Sequence, residues 1–225
     1  MGEPQGIQVD KNADAYKTRL SENMDILGAK RLNQGITPNL KHLFHEADDL
    51  TQEQIESSID SLTGFLNRKG FEKNLRKEAK RSKRTGRPLS MVFLDLNGLK
   101  LINDTEGHKK GDELIKKAID IIAEGREYDR AARWGGDEFA KLLPETHEEE
   151  AIKYWERINQ QFENKGISIV AGIVQIDPSS ESTIQESWRL CDLAEKEAKI
   201  RSKANNEINL ALTPNDLTSD QILAA

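Results

Sequence analysis

The sequence predicts an α+β fold in which helices flank a mixed β-sheet, with its elements in the ferredoxin-like order βαββαβ. Three observations support this prediction. An apolar run of strand length over residues 89–96 brings Asp95 to its carboxyl end, two further strand-like runs surround the glycine pair Gly135 and Gly136, and segments with apolar residues at helical spacing occur between the strands. In this order the first strand lies beside the hairpin, so we expect Asp95 to meet Asp137.

Composition narrows the range of functions. The chain has 225 residues, enough for one well-buried domain and a smaller appendage. No apolar run approaches the roughly 20 residues of a membrane-spanning helix, so no membrane segment is expected. Residues 1–5 lack the features of a signal peptide and Cys191 is a single cysteine, which favours the cytoplasm. The net charge of -6 gives no general attraction to nucleic acid.

The expected organisation has three parts. Residues 1–58 show weak helical periodicity, with helices predicted over 13–32 and around 40–50, and they are interpreted as a regulatory or dimerising helical segment or as a partly disordered one. Residues 59–208 carry every motif with recognisable chemistry. Residues 209–225 are expected to form a C-terminal tail, in which Thr213 and Pro214 are typical of a helix start.

A compact loop over residues 60–68 leads into a helix predicted over 69–84. Phe71, Leu75 and Ala79 lie on its inner face. Its many lysines and arginines are interpreted as a solvated face, and attraction of a triphosphate is the less favoured alternative.

The strand predicted over 89–96 is apolar on both faces and brings Asp95 to its carboxyl end. Lys100 follows closely enough to reach phosphates held by the same metal ion. Asn103 and Asp112 are expected to bracket a short turn and to converge on one ligand. The structural alternative for Asp95 is a strand-end cap.

A helix predicted over 111–124 precedes the hairpin, whose strands are expected over 128–134 and 139–143. Gly135 and Gly136 are predicted to be two positive-φ residues of a two-residue turn, and their missing Cβ atoms leave room for a large ligand. Asp137 and Glu138 follow directly, and carboxylates suit a phosphate ligand with its metal ions. A solvated surface turn is the alternative.

The remaining predicted elements are a helix over 148–163, a strand over 167–176 that Gly172 breaks, and a helix over 187–202 that places Lys199 and Lys203 near its end.

Several separated motifs occur together, and their combination is more specific than any one of them. In chain order they are Asp60-x-Leu62-Thr63-Gly64-x-Leu66-Asn67-Arg68, Asp95-x-x-x-x-Lys100-x-x-Asn103-Asp104-x-x-Gly107-His108-x-x-Gly111-Asp112, Arg133-Trp134-Gly135-Gly136-Asp137-Glu138-Phe139 and Ala198-Lys199. From about residue 60 to 206 the chain therefore resembles a GGDEF domain, the diguanylate cyclase family. That resemblance implies a palm-type sheet and condensation of two GTP molecules into cyclic di-GMP with release of pyrophosphate.

The resemblance also implies roles for individual residues. The implied metal ligands for Mg²⁺ or Mn²⁺ are Asp95, Asp137, Glu138 and the Leu96 carbonyl. The implied catalytic residues are Asp137, as base on the ribose 3′-hydroxyl, with Glu138 and Lys100. The implied substrate-binding residues are Asn103, His108 and Asp112 at the guanine, Lys100, Lys199 and Lys203 at the phosphates, and Gly135 and Gly136 beside them.

Further implications concern assembly and regulation. Two GTP molecules on two domains require a homodimer, and Arg126-x-x-Asp129 stands where the family has its product-binding inhibitory site. The structural alternative for that motif is an ion pair at a helix end. Lys203 stands where the family has arginine, and Lys141 within the hairpin strand is unexpected.

Three other functions remain open at this stage: a binding module that holds GTP or cyclic di-GMP without turnover, a cyclase with mixed base choice, and a nucleic-acid binder that uses the basic helix.

Overall fold

The computed structural model describes residues 57–205 and 209–223. The predicted N-terminal helices within residues 1–56 lie outside the described residues. The described helices are α1 (Arg68–Thr85), α2 (Leu99–Glu106), α3 (His108–Ala123), α4 (Glu148–Asn164), α5 (Glu181–Asn205) and α6 (Ser219–Leu223), and the strands are β1 (Leu89–Leu96), β2 (Arg130–Gly135), β3 (Glu138–Pro144), β4 (Ile169–Gln175) and β5 (Leu210–Leu212). None of the helices in these two ranges is long and apolar enough to cross a membrane.

The sheet has five strands in the order β2-β3-β1-β4-β5. Strand β1 is central and pairs antiparallel with both β3 and β4, while β5 adds to β4 in parallel. This arrangement confirms the α+β class and the expected neighbourhood of the first strand and the hairpin. It is the arrangement that brings together acidic residues distant in sequence.

Strand β1 occupies the residues that its apolar run predicts, and every one of them is buried. Met91 and Phe93 pack in a cluster with Phe71 of α1 and Cys191 of α5. Burying such side chains is the main stabilising contribution to a domain of this size. The carboxyl end of β1 is therefore held in a rigid part of the molecule.

Helix α1 has clear signals at both ends. The Asn67 side chain accepts a hydrogen bond from the Gly70 amide at the start, and Gly86 adopts a left-handed conformation with φ 68° at the end. Its solvated face is confirmed, because the basic residues of this region are exposed: Arg68, Lys69, Lys73, Arg76, Lys77, Lys80, Arg81, Lys83, Arg84 and Arg87.

The expected break at Gly172 is wrong, since β4 runs through it. A Cβ atom at Gly172 would lie 2.0 Å from the Cys191 carbonyl oxygen and 2.7 Å from the Glu195 amide nitrogen of α5. This glycine therefore serves close packing of a helix on a strand rather than a bend. Helix α5 also begins at Glu181, six residues before its predicted start.

The segment expected to be a separate tail contributes to the sheet. Residues Leu210–Leu212 form β5, and Leu212 is buried against Val170 and Ala198. The predicted cap at Thr213 is present, because its side chain and amide both contact the Asp216 carboxylate. The sheet thus continues past the boundary expected at residue 208.

Candidate active site

The hairpin turn differs from its prediction. Gly135 pairs with Glu138, so the turn residues are Gly136 and Asp137, and a bulge lies between Arg133 and Gly135. Gly136 has a positive φ of 42°, whereas Gly135 belongs to β2 and does not have one. The bulge shifts the register, and the turn is therefore not the doubly positive type that the glycine pair suggested.

Two contacts fix this turn. The Arg133 guanidinium donates to the Gly136 carbonyl oxygen from Nε at 3.1 Å and from Nη2 at 2.9 Å. The Leu96 amide at the end of β1 donates to the Asp137 carbonyl oxygen at 2.9 Å. The backbone of Asp137 is thus tied to the end of the central strand, and its carboxylate remains available to a ligand.

The same register places Asp95 of β1 directly opposite Glu138 of β3. The Asp95 side chain is only 8% exposed. Its Oδ2 atom lies 2.6 Å from the Lys199 Nζ of α5, which reaches across the strand end. Asp95, Asp137, Glu138 and Lys199 therefore form one charged cluster, in which the meeting of Asp95 with the hairpin follows the predicted strand order.

The electrostatics of this cluster reflect an excess of acid. Burial raises the pKa of Asp95; Lys199 opposes that shift and Asp137 adds to it. Burial, then the charges of Asp95 and Asp137, raise the pKa of Glu138. Although burial lowers it, the pKa of Lys199 lies above its ordinary value because of its hydrogen bond to Asp95 and the other carboxylates. A further positive charge would relieve this repulsion.

The donor chemistry fits a divalent cation. Carboxylate oxygens are the preferred ligands of Mg²⁺ and Mn²⁺, and Asp95 Oδ1 is buried without a hydrogen-bond donor from any described residue. Within the part of the chain that the structure describes, no three acidic, histidine or cysteine side chains already surround a common point. Lys199 is the neighbour that compensates Asp95 in this state, and metal binding by Asp95, Asp137, Glu138 and the Leu96 carbonyl remains a prediction.

The residues expected to contact the guanine base lie on two helices rather than around a short turn. Asn103 belongs to α2 and Asp112 to α3, with Gly107 as the joint between them. A Cβ atom at Gly111 would lie 2.0 Å from Asn103 Oδ1, so the asparagine amide packs against the helix beside Asp112. The two helices therefore bring Asn103 and Asp112 to one place.

Three predicted side chains are free in solvent. Lys100 and His108 are exposed near the starts of α2 and α3, and Lys203 is exposed one turn beyond Lys199 on α5. Their positions are compatible with contacts to a large anionic ligand, which remain predictions.

A polar groove of about 640 Å³ lies on the outer side of the hairpin. Its two arginines are paired, Arg133 with Asp60 at 3.4 Å and Arg68 with Glu72 at 3.0 Å. Arg68 also stacks over Trp134 at 4.6 Å. These contacts hold the hairpin against the loop that precedes α1 and against the first turn of that helix.

Comparison with known proteins agrees with the motifs. Residues 57–205 match the family described as diguanylate cyclase, GGDEF domain. This chain belongs to the GGDEF domain family.

Relatives of this GGDEF domain include two diguanylate cyclases. The chain is 35% identical to diguanylate cyclase DosC of Escherichia coli (strain K12), over 59% of this chain and 28% of the relative. It is 33% identical to a diguanylate cyclase of Vibrio cholerae serotype O1, over 64% of this chain and 47% of the relative. The chain thus spans less than half the length of these two relatives.

Solved structures also resemble this chain. The active GGEEF domain of a diguanylate cyclase from Vibrio cholerae is 30% identical, with a TM-score of 0.57, covering 65% of this chain and 96% of that one. A microbial GGDEF domain studied for its interaction with cyclic di-GMP is 30% identical, with a TM-score of 0.58, covering 64% and 94%.

In this GGDEF domain the two residues of the expected inhibitory motif differ in accessibility. Arg126 is exposed and donates from Nη1 to Thr146 Oγ1 at 3.2 Å. Asp129 is 2% exposed, and its Oδ2 atom accepts from the Arg126 amide at 2.9 Å. Lys141 lies 3.9 Å from the same carboxylate. The guanidinium is thus available to a ligand, the carboxylate is enclosed, and the inhibitory site remains a prediction.

One residue of the active-site cluster was missed. Glu195 of α5 is 5% exposed, and burial, helped by Asp95, raises its pKa to about 7. The available signal was its position: it interrupts the inward stripe of the last helix between Ala194 and Ala198. A charged residue at a buried helical position warrants a functional interpretation.

Proposed function

We propose that this GGDEF domain is a diguanylate cyclase that condenses two GTP molecules into cyclic di-GMP and releases pyrophosphate. The observation that carries the proposal is the convergence of Asp95, Asp137, Glu138 and Lys199 at one end of the sheet. A set of acids with a lysine beside them matches the requirements of phosphoryl chemistry, where charge on the transferred group must be neutralised. The relatives named diguanylate cyclase add support.

In this proposal Asp95, Asp137, Glu138 and the Leu96 carbonyl hold Mg²⁺ or Mn²⁺. The bound cation neutralises phosphate charge and favours ionisation of the attacking hydroxyl. Asp137 accepts the proton of the ribose 3′-hydroxyl. Its place in the turn, with its backbone fixed by the Leu96 amide, suits a carboxylate that must stay in position during proton transfer.

Guanine recognition is assigned to Asn103 and Asp112, with His108 beside them. A carboxylate accepts hydrogen bonds from the N1-H and the exocyclic amine of guanine together, an arrangement that adenine does not offer. An acceptor left facing the wrong base would cost a few kcal/mol. The packing of Asn103 against Gly111, the neighbour of Asp112, supports a shared pocket.

The triphosphate is assigned to Lys100, Lys199 and Lys203. Gly135 and Gly136 leave space for its approach along the hairpin, because a side chain at either position would project toward the ligand. Lys203 is a point charge where an arginine fork would grip two oxygens, so its contribution to binding is smaller than an arginine's.

The reaction requires two domains. Each 3′-hydroxyl attacks the α-phosphate of the other nucleotide, so a homodimer must place two half-sites face to face. Cyclic di-GMP is also proposed as an inhibitor that binds Arg126 with Asp129, and the exposed guanidinium supports a phosphate or guanine contact there. The single cysteine, Cys191, supports a cytoplasmic setting.

The second candidate function is a module that binds GTP or cyclic di-GMP without turnover. The 2.6 Å contact between Lys199 and Asp95 favours it, because it occupies a proposed cation ligand. The complete set of acidic and basic residues favours turnover.

Incubation of the 225-residue protein with GTP and Mg²⁺ or Mn²⁺, followed by chromatography, distinguishes a cyclase from a binding module. We expect cyclic di-GMP and pyrophosphate from the wild type and none above background from Asp137→Ala. Glu156→Gln, an exposed change on α4, is the matched control and should retain activity. Bound GTP without product in the wild type would favour the binding module.

A further inference from the structure

Glu195 is placed to act on the active-site cluster. Its Oε1 atom is buried and receives no hydrogen bond from the residues described here. The charges that act on it most strongly belong to Asp95, Lys199, Asp192 and Glu138. A buried oxygen without a donor is costly, and a donor that reaches it in another state of the protein would remove that cost.

Lys199 contacts one carboxylate and lies one helical turn from a second. Its Nζ atom now contacts Asp95 Oδ2 at 2.6 Å, and its side chain is 34% exposed. Glu195 precedes it by four residues on α5, which is the favourable orientation for a glutamate and lysine pair on a helix. A lysine has a flexible stem and three N–H donors, so it can exchange one carboxylate for the other.

Cation binding at Asp95 favours that exchange. An ammonium group and a divalent cation repel each other when they share one carboxylate, even where Lys199 contacts Oδ2 and the cation takes the donor-free Oδ1. Without a second partner for Lys199, this repulsion would weaken cation binding.

We propose that Glu195 is a positioning residue that receives the Lys199 ammonium when a divalent cation binds at Asp95. The inference rests on the cation site of the proposed function. In the cation-free state Lys199 pairs with Asp95, and in the bound state it pairs with Glu195. Glu195 thereby lowers the cost of displacing Lys199 and keeps its ammonium beside the proposed phosphate site.

The test is a Mn²⁺ titration of the nucleotide-free 225-residue chain, with free Mn²⁺ measured by electron paramagnetic resonance. Glu195→Gln should weaken Mn²⁺ binding about fivefold, a typical change for one ion pair that is partly buried. Lys199→Met should tighten binding, because the competitor at Asp95 is removed. In the double variant, Glu195→Gln should have no further effect, since its partner is absent.

Three controls make the result decisive. Glu156→Gln should bind Mn²⁺ like the wild type, and thermal unfolding with a chelator should show that Glu195→Gln is no less stable than the wild type. Asp95→Asn should lose the binding altogether.

The possible failures are distinguishable. Equal weakening by Glu195→Gln in the presence and absence of Lys199 would make Glu195 a direct ligand and overturn the exchange. An unchanged affinity in Glu195→Gln, with binding lost in Asp95→Asn, would also overturn it and leave the proposed function intact. Wild-type binding that Asp95→Asn does not alter would contradict the cation site itself.

Discussion

Two ion pairs in this molecule, each between an aspartate and a lysine, have different roles. Asp95 and Lys199 meet at 2.6 Å where β1 ends, and Lys199 is 34% exposed. Asp129 and Lys141 lie 3.9 Å apart, and Lys141 is completely enclosed. The first pair can open toward solvent and a ligand, whereas the second cannot.

Their other partners reinforce the difference. Lys141 donates to the Ala123 carbonyl oxygen at 3.1 Å and to that of Glu124 at 3.4 Å, at the end of α3. Both aspartates keep a buried Oδ1 atom without a donor within residues 57–205 and 209–223. The two pairs therefore differ in the lysine: full burial and backbone hydrogen bonds mark the structural pair, and a partly exposed lysine marks the functional one.

The largest expected effect comes from removing the carboxylate of the partly exposed pair, Asp95 and Lys199. Asp95→Asn should lower the rate of cyclic di-GMP formation by about a thousandfold, because it removes a proposed cation ligand and its charge. The free energy of unfolding should hardly change, since the released Lys199 reaches solvent. Initial rates and urea unfolding of the same samples check both statements. Equal losses of activity and stability would make Asp95 structural.

Removing the lysine of the enclosed pair should lower the stability of the protein and leave its activity unchanged. Lys141→Met should reduce the free energy of unfolding by about 3 kcal/mol, because Asp129 becomes a buried charge without its partner. Activity per folded molecule should be kept. Urea unfolding measures the loss, and Lys153→Met, an exposed change on α4, is the control. A loss as small as that of the control would show that the carboxylate is solvated.

The pH dependence of the free energy of unfolding should also reveal the burial of Lys141. Burial lowers the pKa of Lys141 from 10.5 to about 8, whereas Asp129 opposes the shift. Between these two values the folded state binds fewer protons than the unfolded state, so this contribution to stability grows as pH rises and is lost as pH falls through about 8. The stability difference between wild type and Lys141→Met should increase by roughly 2 kcal/mol from about pH 7.5 to about pH 9.5. A constant difference would contradict the lowered pKa.

The smallest effect is expected at an exposed contact. Arg68→Gln removes the stacking over Trp134 and the ion pair with Glu72. Exposed interactions of both kinds are weak, so the free energy of unfolding should fall by less than about 1 kcal/mol. Urea unfolding checks this, and a loss comparable to that of Lys141→Met would remove the distinction between exposed and enclosed charges.

Local pattern predicted much of this fold. The bounds of β1 follow from its apolar run, and the meeting of Asp95 with the hairpin acids follows from the element order. The turn at Gly136 and Asp137 did not follow, because a bulge beside Gly135 shifts the register. The close approach of α5 to Gly172 depends on tertiary packing, which a single strand pattern does not contain.

Motif spacing identified the residues of the candidate site. It did not show which of their neighbours are buried, and burial changes the interpretation of Asp129 and Glu195. The inhibitory site at Arg126 and Asp129 stays a prediction, but the spacing of that motif does not reveal that the Asp129 carboxylate is enclosed beside Lys141. Glu195 looked like one charge among many on a polar helix, and only its burial reveals its relation to Lys199.

The most direct test of the central claim is a crystal structure with Mn²⁺ and a non-hydrolysable GTP analogue, in which anomalous scattering locates the metal. The account predicts an anomalous peak in contact with Asp95 and the hairpin acids, with the triphosphate on the same side. A nucleotide bound elsewhere, or metal density away from Asp95, would contradict it.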